Sequence, residues 1–174
     1  LLRFHANDAD AEALIDADLK RLMFVNEHGV FPDKEKLYEA ALINIETKYP
    51  QSPLSATASY LRAQLHMQRG EKYNAKTGKQ YQFEIVKAKE ICEAAYAKFS
   101  KSEGGINCKN LLNQIERPAL TFETEKVNLP ELPFRTLVNY KNAAKLYLRI
   151  VKTNRAEIKQ AEQMEYEKIW PAIL

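Results

Sequence analysis

The sequence is poor in glycine, in long apolar runs and in charge of one sign. Five glycines among 174 residues argue against a loop-rich all-β fold. No run approaches the roughly 18–20 consecutive apolar residues of a membrane-spanning helix, so we expect no membrane span. Twenty-six basic and 23 acidic residues leave a formal net charge of +3. This balance lacks the one-sided basic surface that neutralises phosphates, so we expect no nucleic-acid partner.

Residues that could carry chemistry are few and scattered. His5, His28 and His66 lie far apart, and none has a second candidate ligand at the spacing of a metal site. Cys92 and Cys108 have neither the spacing of a zinc site nor that of a redox motif. The sequence therefore predicts no catalytic residue, no metal and no cofactor.

Two interpretations of the cysteines stay open. Cys92 and Cys108 each lie eight residues from Ser100, so they could approach and form a disulfide if that region turns between antiparallel helices. Alternatively, both are small buried hydrophobic residues, because the positions fifty residues earlier are Leu42 and Ala58.

Strong stop and start signals frame helices in KYPQSPLSATASYLRAQLHMQRG, residues 48–70. Pro50 disfavours helical geometry at Tyr49 and so ends one helix. Ser52 can cap the next helix, and Gly70 can end it in a left-handed conformation. With apolar residues at helical spacing, such signals predict five helices. They span about 8–28, ended by Gly29; 33–48, capped by Asp33; 52–69; 84–99; and 103–116.

The third predicted helix has two apolar faces. A helix on the outside of a small domain needs only one apolar stripe, so we expect neighbours on both sides of this helix. Gly104-Gly105 is expected to let the fifth helix start close to its neighbour. One apolar face comprises Leu54, Ala58, Leu61 and Leu65, and the other comprises Ala56, Tyr60, Ala63 and Met67.

Part of this pattern returns fifty residues later, where Lys98-Phe99 aligns with Lys48-Tyr49 and Ser102 with Ser52. The arrangement resembles tetratricopeptide-type repeats, whose helix pairs stack into a curved solenoid. The repeat period of that family is about 34 residues, whereas the period in this chain is fifty. Residues 70–83 are the predicted insertion that lengthens it. We therefore predict a tetratricopeptide-like domain over residues 1–117.

Beyond Pro118 the apolar spacing changes from helical to alternating, which predicts a small antiparallel β segment and a fold that is α+β, mainly α. Strands with one apolar face need a partner layer, so we expect residues 118–174 to be part of a larger β domain. The strands are predicted near residues 120–125, 134–140 and 145–152, and a polar helix over about 156–168.

A more specific resemblance covers most of the chain. PALTFETEKVNLPELPFRTLVNYKNAAKLYLRIVK, residues 118–152, resembles the start of the first macroglobulin-type β-sandwich of bacterial alpha-2-macroglobulin-like proteins. YPQSP, residues 49–53, and SEGGINCKNLLNQIERP, residues 102–118, resemble the helical region that can precede that sandwich.

The resemblance implies a large secreted or envelope-anchored protein that traps proteases, and hence a periplasmic or envelope location. The chain begins Leu1-Leu2, so we expect any targeting segment to lie upstream. Neither Cys92 nor Cys108 begins a cysteine–x–glutamate–glutamine thioester motif, and no bait region is identifiable. The family's functional residues therefore have no counterparts in this sequence.

Three functions follow as hypotheses. The favoured one is a non-catalytic interaction or scaffold module from the N-terminal part of such a protein. The second is a stand-alone helical-repeat adaptor that binds a peptide or protein. The third is an enzyme whose pocket lies between the helical and β parts.

Two surfaces are candidate contact sites for a protein or peptide partner. A polar stripe on the third helix contains Ser55, Ser59, Arg62, His66 and Arg69, and Lys109 continues it on the fifth helix. This stripe either lines a binding groove or is simply a solvated face. The second surface is the inserted loop, with Tyr73, Tyr81 and Phe83, which either contacts a partner or folds back on its own helices.

Overall fold

The computed structural model describes residues 2–5, 7–125, 127, 129, 132–148 and 152–163. The protein is α+β and mainly α, as the sequence predicts. The chain divides into two compact units, Leu1–Arg117 and Pro118–Leu174. In chain order the elements are α1 (Leu2–His5), α2 (Glu12–His28), α3 (Lys34–Lys48), α4 (Leu54–Glu71), α5 (Glu84–Phe99), α6 (Glu103–Glu116), β1 (Ala119–Thr124), β2 (Thr136–Lys141) and α7 (Arg155–Glu162).

Helix α4 is the centre of the first unit, with one core on each side. Its residues Ala58, Leu61 and Leu65 pack with buried residues of α2 and α3. Its residues Ala56 and Ala63 pack with buried residues of α5 and α6. The predicted two-sided packing is confirmed. Each apolar face of α4 stabilises the folded state when neighbouring helices bury it.

Burial repeats along the chain at the predicted offset of fifty residues. Equivalent positions are buried in two helical hairpins. One hairpin consists of α3 and α4, and the other of α5 and α6. The tetratricopeptide resemblance itself stays a prediction. The buried equivalent pairs are Tyr38 and Ala88, Leu42 and Cys92, Ile45 and Ala95, Ala58 and Cys108, Leu61 and Leu111, and Leu65 and Ile115.

The start of α6 lies directly against the backbone of α4. A methyl group on Gly104 would overlap the backbone nitrogen of Thr57 and the carbonyl carbon of Ala56. Ser102 caps the same helix, because its hydroxyl accepts a hydrogen bond from the Gly105 amide at 3.0 Å. The expected close approach at the glycine pair is confirmed.

Several helix ends differ from the prediction. Gly70 lies inside α4, and a methyl group there would overlap the Ile85 side chain, so Gly70 serves close packing and not helix termination. Within the described residues, the Asp33 side chain makes no capping hydrogen bond, and its backbone is left-handed, with φ of 55°. Helix α2 begins at Glu12, later than predicted, and the four-residue α1 was not predicted.

The second unit contains an antiparallel hairpin. Leu120 of β1 pairs with Tyr140 of β2, and Phe122 pairs with Val138. Because residues paired across antiparallel strands share a face, these four side chains form one surface, called here the apolar hairpin face. Helix α7 follows after Asn154, whose side-chain oxygen accepts hydrogen bonds from the Ala156 and Glu157 amides at 3.0 and 3.1 Å.

The prediction of a third strand is wrong where it can be assessed. Residues 145–148 have no regular secondary structure, and residues 149–151 lie outside the described residues. Alternation of apolar residues is not sufficient for a strand, because the backbone groups also need a paired neighbour. Residues 164–168 of the predicted terminal helix likewise lie outside the described residues.

Candidate functional site

The polar stripe of α4 lies between neighbouring helices and not on an open face. His66 and Ser55 are buried, at 5% exposure each, and Ser59, Arg62 and Arg69 are half-buried. Three of these residues, Arg62, His66 and Arg69, reach side chains of α3, and His66 and Arg69 also approach α5.

His66 connects three helices through its imidazole. Nδ1 lies 2.6 Å from a carboxylate oxygen of Glu84 on α5, and Nε2 lies 3.3 Å from a carboxylate oxygen of Glu39 on α3. A carboxylate accepts hydrogen bonds but cannot donate them, so both contacts are hydrogen bonds only when both ring nitrogens carry protons. The ring of His66 therefore lies between two carboxylates.

Arg69, one turn further along α4, joins the same carboxylates. Its Nη1 donates to Glu39 at 2.6 Å, and its Nε donates to Glu35 at 3.1 Å. The Glu84 carboxylate lies 4.0 Å from Nη1. Burial by itself would lower the pKa of Arg69, but the hydrogen bonds to Glu39 and Glu35 outweigh this effect and raise the pKa.

The acidic partners have shifted pKa values for related reasons. The hydrogen bond from Arg69 lowers the pKa of Glu35. Burial would raise the pKa of Glu84, but hydrogen bonds from Lys87 and His66 more than compensate, and the pKa is lowered. Together these groups form a charged cluster, here defined as Glu35, Glu39, His66, Arg69 and Glu84.

The remaining stripe residues have separate partners. Arg62 binds Glu46 of α3 through two contacts, Nε to Oε1 at 3.0 Å and Nη2 to Oε2 at 2.8 Å. The Ser59 hydroxyl donates to the Ser55 carbonyl oxygen at 3.2 Å. Lys109 is exposed on α6, with its ammonium 5.7 Å from the centre of the Tyr96 ring. Lys109 therefore has a different setting from His66 and Arg69, and the groove itself stays a prediction.

The inserted loop brings one aromatic residue to the charged cluster. Tyr81, half-buried and with a positive φ of 65°, lines an open cleft of about 520 Å³. Tyr73 is half-buried, and Phe83 is 62% exposed just before α5. The loop-contact role of all three stays a prediction. The other residues that line the cleft are Asp33, Lys34, Glu35, Lys36, Arg69 and Glu84.

Sequence reasoning identified the cations of the cluster but missed its carboxylates. Glu35 and Glu39 are one helical turn apart on α3, a spacing that places both on one helix face. This spacing was the one local signal available for them. Glu84 is far away in sequence and becomes a partner of His66 only when α5 packs on α4.

The charged cluster can neutralise charge and hold helices, but its residues include no serine, cysteine or lysine nucleophile. Converging titratable groups with shifted pKa values are typical of active sites and also of structural ion-pair networks. In this cluster both His66 and Arg69 face carboxylates of the chain itself. Across the described ranges, no three His, Cys, Asp or Glu side chains are grouped so that they could hold a metal ion.

The cysteines lie together in the second core of the helical unit. Cys92 and Cys108 are free thiols with 0% exposure. A hydrogen bond between the thiols, together with burial, raises the pKa of Cys92. The same hydrogen bond lowers the pKa of Cys108, because it stabilises that thiolate. The structure thus places the two predicted partners in one core, with both thiols free.

Comparison with family models, with curated proteins and with solved structures finds no match to this chain. The alpha-2-macroglobulin resemblance therefore stays a prediction. Considering the parts of the chain that the structure describes, no helix is both long and apolar enough to cross a bilayer.

Proposed function

We propose that this chain is a non-catalytic protein-interaction and scaffold module from the N-terminal part of an envelope alpha-2-macroglobulin-like protease-trapping protein. The apolar hairpin face carries the proposal. Leu120 and Phe122 are 45% and 50% exposed, and Tyr140 beside them is 63% exposed. A two-stranded hairpin is marginally stable in water and needs a further layer on its apolar face. This face therefore suits packing against protein, as in a β-sandwich.

The charged cluster supports a structural role for the helical unit. Its cations and carboxylates pair with one another across α3, α4 and α5. Partly buried pairs of this kind hold helices in one arrangement, and breaking one partner is costly because the other charge stays desolvated. A helical unit whose helices are held in one arrangement is suited to a scaffold.

Sedimentation velocity of the full chain at several concentrations, with amide hydrogen exchange over residues 118–141, tests the proposal. We expect concentration-dependent association, or slow exchange in a monomer that covers the hairpin with its own residues. Leu120→Lys on the apolar hairpin face should abolish the association or the slow exchange, whichever the chain shows. Thr121→Lys on the opposite face is the matched control and should leave it intact. A strict monomer whose hairpin amides exchange rapidly would overturn the proposal.

A second candidate function is a stand-alone helical-repeat adaptor that binds a peptide. The cleft that Lys34, Lys36 and Tyr81 line favours it, because cations and an aromatic ring at one opening can contact an extended acidic peptide. Mass spectrometry of the purified chain should then detect a bound peptide. Tyr81→Ala should lose that peptide, and Tyr147→Ala in the second unit should retain it. A chain purified without peptide argues for the scaffold.

A further inference from the structure

The thiol pair of Cys92 and Cys108 has no part in the proposed function. Cys92 lies on α5 and Cys108 on α6, and the short turn at residues 100–102 joins these helices. Both side chains are fully buried in the second core of the helical unit. Two free thiols therefore lie in one core, on adjacent helices of a hairpin.

The core that holds the thiol pair contains several small residues. They include Ala56 and Ala63 of α4, and Ala88 and Ala95 of α5. Small side chains allow neighbouring helix backbones to approach, and a disulfide between two helices requires such an approach.

The other hairpin shows what the same positions contain without sulfur. Leu42 and Ala58, which precede Cys92 and Cys108 by fifty residues, are both fully buried in the first core. A leucine opposite an alanine fills such a site by packing alone. Two cysteines at the equivalent positions fill it and can also form a covalent bond.

We propose that Cys92 and Cys108 are a redox-sensitive site that forms a disulfide between α5 and α6 by exchange with a small-molecule disulfide such as oxidised glutathione. The inference does not depend on the proposed function. It concerns the reduced helical unit as the structure shows it and a covalent state that this unit can adopt.

The exchange is balanced in two steps. One protein thiol loses its proton, and its thiolate attacks a sulfur of oxidised glutathione, which forms a mixed disulfide and releases one glutathione thiolate. The second protein thiol then loses its proton and attacks the protein-bound sulfur of that mixed disulfide, which releases the second glutathione. Two electrons pass from the cysteines to oxidised glutathione, and the two released thiolates take up the two protons.

Burial makes the first step depend on local opening. With both sulfurs at 0% exposure, oxidised glutathione reaches a thiolate only when α5 and α6 separate briefly. We therefore expect slow oxidation of the native chain and faster oxidation at urea concentrations below the unfolding midpoint. In the closed hairpin the second thiol lies in the same core, so the mixed disulfide should resolve quickly.

Intact-mass spectrometry and thiol alkylation of the full chain test this proposal. After incubation with oxidised glutathione, we expect both thiols to become unreactive, without retained glutathione, and a cross-linked peptide that contains Cys92 and Cys108. The oxidised chain should melt higher by on the order of 10 °C, because the cross-link restricts the unfolded chain, and dithiothreitol should reverse the shift. Two stable mixed disulfides, or thiols that stay reactive after refolding with oxidised glutathione, would overturn the proposal.

Two sets of variants separate the disulfide from unspecific effects. Cys92→Ala and Cys108→Ala should each keep one glutathione on the remaining cysteine and show no rise in melting temperature. The double variant Cys92→Leu with Cys108→Ala has the residues found at the equivalent positions of the other hairpin. It should fold, and its mass and melting temperature should not change with oxidised glutathione. A melting-temperature rise of the same size in that double variant would disprove the cross-link.

Discussion

His66 Nδ1 lies 2.6 Å from Glu84 Oε2 and so links α4 to α5 through a buried polar contact. His66 also contacts Glu39 of α3, so the His66 side chain joins α3 to α5. Because His66 is 5% exposed, solvent cannot replace a partner that is removed. The stability of the helical unit should therefore depend on this contact and on the Glu84 carboxylate that makes it.

Glu84→Gln tests that dependence directly. Glutamine keeps the shape and a hydrogen-bond acceptor but removes the negative charge beside His66, so we expect the free energy of unfolding to fall by about 1–3 kcal/mol. Urea denaturation followed by circular dichroism measures the change. Glu90→Gln on the exposed side of the same helix is the matched control, with an expected change within about 0.5 kcal/mol. Equal effects of the two substitutions would contradict a buried ionic role for Glu84.

The lowered pKa values of Glu35 and Glu84 predict loss of stability in acid. A carboxyl whose folded pKa lies below its unfolded value stabilises the native state at higher pH, and that contribution disappears as the pH falls through the folded pKa. We therefore expect the urea midpoint to be level above about pH 5 and to decrease steadily below the unfolded pKa of about 4.5. Glu84→Gln should show a smaller decrease. A midpoint independent of pH across this acidic range would refute the assignment.

Gly104→Ala tests the close approach of α6 to α4. Alanine is the better helix former by up to about 1 kcal/mol, but its methyl group would overlap backbone atoms of α4 that cannot rotate away. We expect a net loss of about 2 kcal/mol or more in the free energy of unfolding. Asn110→Ala, at an exposed position of the same helix, is the control and should be near neutral. A Gly104→Ala variant with a higher free energy of unfolding would contradict the close approach of α6 to α4.

The bidentate pair of Arg62 and Glu46 should contribute measurably to stability. The two side chains are 22% and 17% exposed, so water screens this pair less than the exposed pair of Lys20 and Asp16. A double-mutant cycle with Arg62→Gln and Glu46→Gln should give a coupling energy of about 1–2 kcal/mol. The same cycle at Lys20 and Asp16 should give at most about 0.5 kcal/mol. Indistinguishable coupling in the two cycles would leave Arg62 available for a ligand.

Local sequence signals were sufficient for most of the helical architecture. Pro50 and Gly29 mark where helices end, and Ser102 marks where one starts, because each acts through the backbone of its own segment. The two apolar faces of α4 and the burial that repeats after fifty residues were also readable, because side-chain periodicity follows from helix geometry alone.

Signals with more than one physical cause were misread. Glycine can end a helix or permit close packing, and only the position of Ile85 shows that Gly70 does the second. Apolar alternation at residues 145–148 is equally compatible with a strand and with irregular chain, since strand formation also requires a hydrogen-bonded neighbour.

By itself, the sequence determined the fold class, the order of the helices, the two faces of α4 and the change of character at Pro118, because these depend on local propensity and periodicity. Only the tertiary structure decided that His66 meets Glu39 and Glu84, and that Cys92 and Cys108 lie buried in the same core. Those pairings join residues far apart in the chain, and their geometry is set by how α3, α5 and α6 pack around α4.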